Sequence, residues 1–359
     1  MMSRNILDSG TLDELDLEIL HALQLAPRAS WARVGQVLSI DGATAARRWR
    51  RLEELGIAWV TCHPPHEPAT RTAMIEIVCK HGHVEDVTRE LCADPRAYTV
   101  DVVTGDRDLL VIVAARSYEA LAEYSLGRLQ ALRHVSRVRT HMTMRNFTDA
   151  SRWRLRSLDS SQLGLIDRGT PGGKPPPWSE LSGPDWELAL ELGRDGRAPI
   201  SRLAEISGLN ESTARRRLER LLGNGQLTLR AEVARSATGT PVHALLFADA
   251  PLGHLEQIGT LLMRRPEVRA AFSSVGPYTL GIVVWVNSLE HLQKFEKQIT
   301  QGSYQLAVRD RMVVTRSMKR VGRVLDHRDR AVSCVPMDLR DEGHDGVRPD
   351  RPHPVTRPV

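Results

Sequence analysis

Nothing in these 359 residues approaches the run of roughly 20 apolar residues that a membrane-spanning helix needs. The longest apolar stretch, Leu280–Val286, has the length of a strand. The segment Met1–Gly10 lacks a charged head followed by an apolar core, so a secretory leader is not expected. Cysteine is scarce: Cys62, Cys79, Cys92 and Cys334 include no CxxC pair, which excludes a disulfide framework and fits a reducing cytosol. Lysine is scarcer still, with only Lys80, Lys174, Lys294, Lys297 and Lys319 among 49 basic residues. GC-rich coding produces that skew without any partner, so the net charge of +5 does not by itself argue for nucleic acid. No Gly-rich phosphate loop, GxSxG elbow or paired metal-ligand motif occurs. No catalytic residue and no cofactor are therefore expected.

Internal repetition is present. Set Leu12 against Leu181 and run on without a gap. Then Asp16, Glu18, Leu23, Arg28, Ala29, Arg33, Thr44 and Ala45 meet Asp185, Glu187, Leu192, Arg197, Ala198, Arg202, Thr213 and Ala214. Arg47, Arg48, Arg51, Leu52 and Gly56 likewise meet Arg216, Arg217, Arg220, Leu221 and Gly225. Shared composition does not keep such a register; duplication does.

After each matched region comes a strand-rich segment. Strands at Thr72–Cys79, Tyr98–Thr104, Leu109–Ala114 and Arg137–Phe147 alternate with helices at His83–Ala93 and Tyr118–Leu129. The order βαββαβ is ferredoxin-like. It returns as Val242–Ala248, Leu255–Arg264, Arg269–Val275, Thr279–Val286, Leu289–Gln301 and Ala307–Met318. The expected class is α+β: two winged-helix or helix-turn-helix modules (8–60 and 181–230) alternating with two ferredoxin-like modules (70–148 and 240–320). Residues 150–180, with the Pro/Gly run Thr170–Pro177, read as a linker, and 331–359 as a disordered tail.

The matched regions carry three helical signals each. In the first, Ser30 and Asp41 are placed to cap the second and third helices, and Gly56 to stop the third. Ala45, Trp49 and Leu52 share one face of that third helix, leaving Thr44, Arg47, Arg48 and Arg51 outside. In the second copy Asn210 caps, Ala214, Leu218 and Leu221 pack, and Glu211, Ser212, Thr213, Arg216, Arg217 and Arg220 are left outside. Short polar groups near a helix start reach base edges, and arginine forks suit guanine or phosphate. Arginines in register in two copies favour double-stranded DNA over a merely solvated face.

These residues resemble the leucine-responsive regulatory protein and asparagine-synthase regulator (Lrp/AsnC) group of prokaryotic transcription factors. The resemblance rests on Leu12–Asp16, Ile19-Leu20, Arg28, Thr44, Arg47-Arg48 and Arg51–Ile57, and on Arg197, Leu203-Ala204, Gly208–Thr213, Arg216–Leu218, Arg220-Leu221 and Gly225. The turn Val103-Thr104-Gly105-Asp106-Arg107-Asp108 matches the family's Val-Thr-Gly-x-x-Asp. The resemblance implies an amino-acid-like effector near that turn, with Thr104, Gly105 and Asp108 as contacts. A glycine turn exposes amides to a carboxylate, and an aspartate pairs an ammonium. In the second copy Thr279 stands where the family has its acid.

Ordinary members of the family dimerise through their sheet modules. Here both halves lie in one chain, so an intrachain pseudo-dimer is expected, with higher homo-oligomers open. The function expected is sequence-specific regulation of transcription in the cytoplasm, associated with the nucleoid. The alternatives are an amino-acid-binding enzyme and a helix-turn-helix adaptor acting through protein contacts. Cys62, His63, His66, Cys79, His81, His83 and Cys92 crowd one stretch, but their spacing matches no zinc finger, and no metal is expected.

Overall fold

A computed structural model of the chain describes residues 12–65, 70–166, 180–301 and 306–340. Three helices come first: α1 (Glu14–Leu25), α2 (Trp31–Leu38) and α3 (Gly42–Glu54). The Asp13 carboxylate accepts from the Asp16 amide and the Ser30 hydroxyl from the Arg33 amide, so both helix starts are satisfied by side chains. Asp41 stands at the start of α3 without a side-chain cap bond, contrary to expectation.

The first sheet module follows the wing strand β1 (Ala58–His63). It comprises β2 (Arg71–Cys79), α4 (Val84–Ala93), β3 (Ala97–Val103), β4 (Leu109–Ala115), α5 (Tyr118–Glu123) running into a π-helical turn, and β5 (Val135–Thr148). A short helix, α6 (Ser160–Ile166), lies in the expected linker, and Ile166 joins the core of the first three-helix unit.

The second half repeats the plan. Helices α7 (Gly183–Arg194), α8 (Ile200–Ser207) and α9 (Glu211–Gly223) lead to β6 (Thr228–Val233). Then come β7 (Val242–Asp249), α10 (Leu255–Met263), β8 (Val268–Val275), β9 (Leu280–Val286), α11 (Leu289–Thr300) and β10 (Ala307–Arg320). A hairpin of β11 (Arg323–Leu325) and β12 (Ala331–Cys334) ends the described chain.

The two sheet modules close on each other. Strands β3, β4, β2, β5, β8, β9, β7 and β10 neighbour one another in that order, and β10 pairs with both β7 and β3. The junctions are β5 with β8 and β10 with β3, the same strand positions of the two copies exchanged. The outcome is a closed barrel with a pseudo-two-fold axis. Each outer face carries its own helices over an apolar core: Ile75, Leu91, Val111 and Leu121 in the first copy, Leu246, Leu262, Ile282 and Phe295 in the second. The barrel interior holds a third core, with Met74, Leu110, Leu245, Phe247, Phe272 and Met312. Side chains alternate between the two, as the two-residue period of a strand requires.

The described part of the expected tail is ordered. Residues 331–340 are packed rather than loose: Met337 and Leu339 are buried against α7–α9, and the Ala331 amide donates to the Gly56 carbonyl at 2.8 Å. That contact accounts for Gly56, whose φ is +65° and where a Cβ would lie 2.4 Å from the Ala331 oxygen. Residues 341–359, the linker run 170–177 and residues 8–11 of the first expected module lie outside the described residues. Among the described residues no helix is long and apolar enough to cross a membrane.

Candidate nucleic-acid interface

The two three-helix units form one block. Strand β1 pairs antiparallel with β6, from Ala58 opposite Val233 to His63 opposite Thr228. Above this ribbon two arginines cross reciprocally. Arg28 donates to the carbonyls of Gly196 and Ala198, both at 2.8 Å. Arg197, its partner in the repeat, donates to Pro27 at 2.5 Å and Ala29 at 2.8 Å, and lies over the Trp31 ring at 4.1 Å. Burial pulls the Arg197 guanidinium down to about 10, against the pull of Glu53.

Helices α3 and α9 take the place of recognition helices. Ala45, Trp49 and Leu52, and Ala214, Leu218 and Leu221, are buried as their spacing dictates. The outward faces differ from the sequence reading. Arg48 reaches back to α1, 2.6 Å from Asp13 and 2.9 Å from Asp16, and Arg51 lies 4.0 Å from Asp16. In the second copy Arg217 and Arg220 both lie 3.1 Å from Asp185. Asp16 and Asp185 are buried, so each acid needs those guanidiniums. Burial alone would raise the Asp185 carboxyl; hydrogen bonds from Ser182 and Arg217 hold it below the ordinary carboxylate value.

Arg48 and Arg217 thus clamp helix to helix. Arg47 and Arg216 remain exposed in register, joined by Arg50 in the first copy and Arg215 in the second. Arg50 was missed because Glu219 stands at its repeat position, and repetition was the guide. At the helix starts Thr44 and Thr213 are half-buried, while Glu211 and Ser212 are exposed. Gly42 is a packing residue: a Cβ there would lie 2.9 Å from the Trp31 carbonyl oxygen.

The Thr104–Asp108 turn sits where the two sheet modules meet. The Thr104 amide donates to the Val313 carbonyl at 2.9 Å, and its hydroxyl accepts from the Val313 amide at 3.0 Å. Asp108 accepts from the Cys79 amide at 2.7 Å, and Gly105 is exposed with φ +110°. Between Thr104 and Asp108, buried Arg107 bridges Glu76 (3.0 Å) and Asp310 of the other copy (2.7 Å). Where Thr72, Tyr98, His243 and Arg269 line the barrel there is a partly open cavity of about 130 Å³.

The crowded cysteines and histidines separate in space. Cys62 and His63 lie on the wing strand β1, and Cys79, His81 and His83 at an end of β2 and the turn after it. His66 lies outside the described residues. Among the described residues the grouping close enough to share an ion is His83, Asp86 and His134, with the two rings stacked at 3.6 Å.

Comparison with known proteins agrees with this geometry. Residues 12–53 match the AsnC-type helix-turn-helix domain, 72–153 the Lrp/AsnC ligand binding domain, and 187–228 a winged helix-turn-helix DNA-binding domain. The chain is 26% identical over 144 residues to the HTH-type transcriptional regulator Ptr1 of Methanocaldococcus jannaschii, covering 39% of this chain and 97% of that one. To the HTH-type transcriptional regulator FL11 of Pyrococcus furiosus it is 27% identical over 112 residues, 31% of this chain and 74% of that one. A solved structure similar over both halves is the siroheme decarboxylase NirDL in complex with an iron-uroporphyrin III analogue. Its TM-score is 0.58 at 16% identity, covering 86% of this chain and 93% of that one, a likeness of fold. The chain thus carries the helix-turn-helix and ligand-binding domains of the Lrp/AsnC family, with a helix-turn-helix domain present twice.

Proposed function

We infer that one chain is a complete sequence-specific DNA-binding unit, reading two half-sites through α3 and α9, with DNA affinity set by a small amino-acid-like metabolite. The observation that carries the reading is the reciprocal bonding of Arg28 and Arg197. It holds two recognition helices in one block, the arrangement that two separate chains supply in a dimeric helix-turn-helix protein. Arg47, Arg50, Arg215 and Arg216 are the phosphate- and base-facing cations of this reading, with Thr44, Glu211, Ser212 and Thr213 at the helix starts. Arg48, Arg51, Arg217 and Arg220 act through the placement of the helices.

Effector contact is proposed at Thr104, Gly105 and Asp108, because this turn lies across the junction of the two copies. A ligand there would alter how the modules meet. Mobility shifts on the chain's own upstream DNA test the reading. Affinity should fall steeply with salt, and Arg47→Ala with Arg216→Ala should weaken binding at least tenfold while the protein stays folded. Unchanged affinity in that double variant would refute it.

A second reading, an enzyme acting on a tetrapyrrole, is favoured by the likeness to the siroheme decarboxylase over both halves. Two observations weigh against it. The exposed recognition-helix arginines have no task in that reading. The barrel cavity, about 130 Å³, is near the size that accommodates a single benzene ring. Adding iron-uroporphyrin and following its absorbance decides between them: a saturable shift supports the enzyme, none supports the regulator.

A further inference from the structure

We propose that the barrel cavity is a binding site for one small organic monocarboxylate with a branched or aromatic body, its carboxylate seated on Arg320. The cavity has an apolar side formed by Met74, Leu110, Leu245, Phe272 and Val283, and a charged side where Arg230, Arg269 and Arg320 outnumber Asp101 and Asp149. This site lies apart from the Thr104–Asp108 turn and goes beyond the regulatory reading.

The first observation is one-sidedness. Aligning Gly105 with Gly276 sets Thr72 against His243, Tyr98 against Arg269, Ala114 against Trp285, and Asp149 against Arg320. The first copy contributes small, neutral or acidic groups to this end of the barrel, and the second contributes the cations. A barrel interior that served packing alone would be filled by apolar side chains in both copies. Divergence after duplication has instead made one polar pole, hence one site per chain.

The second observation is the unequal partnering of the buried arginines there. Arg269 donates to both carboxylate oxygens of Glu232 at 3.1 Å and is held between the rings of Trp153 (4.5 Å) and Trp285 (4.0 Å). Arg230 pairs with Glu232 as well, and Arg235 with Asp329 at 3.0 Å. Arg320 is 5% exposed, yet its one hydrogen bond in the described residues goes to the Val233 carbonyl at 3.3 Å. No carboxylate of the described residues lies at ion-pair distance from it, and its Nη2 has no partner there. The His243 Nδ1, on the same wall, also lacks one. Arg320 lies over the Trp285 ring at 5.1 Å, and Glu232, Asp329 and Asp101 act on it from beyond ion-pair distance. Its fork therefore keeps an open hydrogen-bonding edge, and a carboxylate is the group that matches it.

Size sets the rest of the ligand. A cavity of about 150 Å³ lined by apolar side chains holds benzene, so this one accommodates one ring or a branched chain of similar bulk. Its wall is also connected to the DNA-facing block. Arg230 and Glu232 belong to β6, which follows α9 directly and pairs with β1, which follows α3. A ligand carboxylate among Arg320, Arg269 and Arg230 would compete with Glu232 and so act on the ribbon beneath both recognition helices.

Calorimetry on the full chain without DNA tests the site, using propionate, isovalerate, benzoate, phenylacetate and the neutral phenylacetamide. The expected result is saturable binding of isovalerate, benzoate or phenylacetate at one site per chain, with phenylacetamide at least tenfold weaker. Arg320→Gln should weaken the acid at least tenfold, beyond any change that loss of its Val233 and Trp285 contacts makes to the melting midpoint. Leu245→Trp, which fills the cavity without touching charge, should abolish binding, and it alone decides the matter if Arg320→Gln fails to fold. Heat from none of the acids at millimolar concentration, equal binding of the amide, two equal sites per chain, or binding that survives Leu245→Trp would overturn the proposal. Because DNA is absent, each of those results leaves the regulatory reading standing.

Discussion

Replacing Arg28 by alanine removes two hydrogen bonds that cross from the first DNA-binding unit to the second, onto the carbonyls of Gly196 and Ala198. A hydrogen bond from a charged donor contributes about 1.5–3 kcal/mol. Arg28 is half-buried, so the lower end applies, and the two together are worth about 3 kcal/mol. Arg197→Ala should cost slightly more, since its contact with Trp31 is lost too. The double variant should cost less than the sum, because either loss lets the two units separate at the same place. Lysine should not rescue either site, since one ammonium cannot span two carbonyls as the guanidinium fork does. Urea unfolding of the four proteins gives the numbers directly. DNA affinity measured alongside should fall in each variant, because the half-site spacing is no longer held. A loss below about 0.5 kcal/mol in Arg28→Ala, the level of an ordinary surface substitution, would refute the claim that this contact joins the units.

Other expectations separate structure from recognition. Arg48→Ala or Arg217→Ala removes one charged partner of a buried aspartate, leaving Arg51 or Arg220 beside it, and should lower stability by about 1.5–3 kcal/mol, read by denaturation. Arg47→Ala or Arg216→Ala should leave stability within about 0.5 kcal/mol and reduce the slope of log affinity against log salt by about 0.9 each. His21 is buried, and its Nδ1 accepts from the Ser157 and Leu158 amides, both at 3.0 Å. Burial, helped by Arg154, lowers its pKa from 6.5 to about 4. Between those values the unfolded chain binds a proton that the folded chain refuses, so this contribution is present above pH 6.5 and is lost as pH falls towards 4. Relative to His21→Gln the parent should lose up to about 3 kcal/mol across that window, and parallel pH–stability curves for the two would disprove it. At the effector turn, Asp108→Ala should weaken amino-acid binding measured calorimetrically; unchanged affinity would remove Asp108 from the contacts.

The order of elements was legible because each signal is local. The two-residue period of Thr72–Cys79 and the helical spacing of Ala45, Trp49 and Leu52 are written in neighbouring residues. Strands β1 and β6 were missed because each pairs with a partner in the other copy. The hairpin β11–β12 was missed in a charged stretch because its anchors, the Gly56 carbonyl and the α7–α9 core, are remote in sequence. The site shows the same limit. Arg48, Arg51, Arg217 and Arg220 read in sequence as DNA contacts, yet in the fold they are tied to buried Asp16 and Asp185. Arg28 and Arg197, matched in the repeat, bond carbonyls of the opposite unit. Arg47 and Arg216 are matched and exposed, while Arg50 and Arg215 have no arginine at their repeat positions and so left no signal in the register. The charged pole of the barrel was invisible in sequence, since Arg230, Arg269 and Arg320 lie on three separate strands.

On the proposed function, one chain carries two fixed and unlike recognition helices. One begins Gly42-Ala43-Thr44 and the other Glu211-Ser212-Thr213. Glutamate accepts from a cytosine amine and serine bonds several base edges, whereas glycine offers neither, a difference of about 1–3 kcal/mol per good contact. Selection of bound sequences from a random DNA pool by the full chain tests this most directly. The expected product is an asymmetric site with two different half-sites about one helical turn apart or a multiple of it. A recovered site with perfect two-fold symmetry, or no enriched sequence at all, would contradict it.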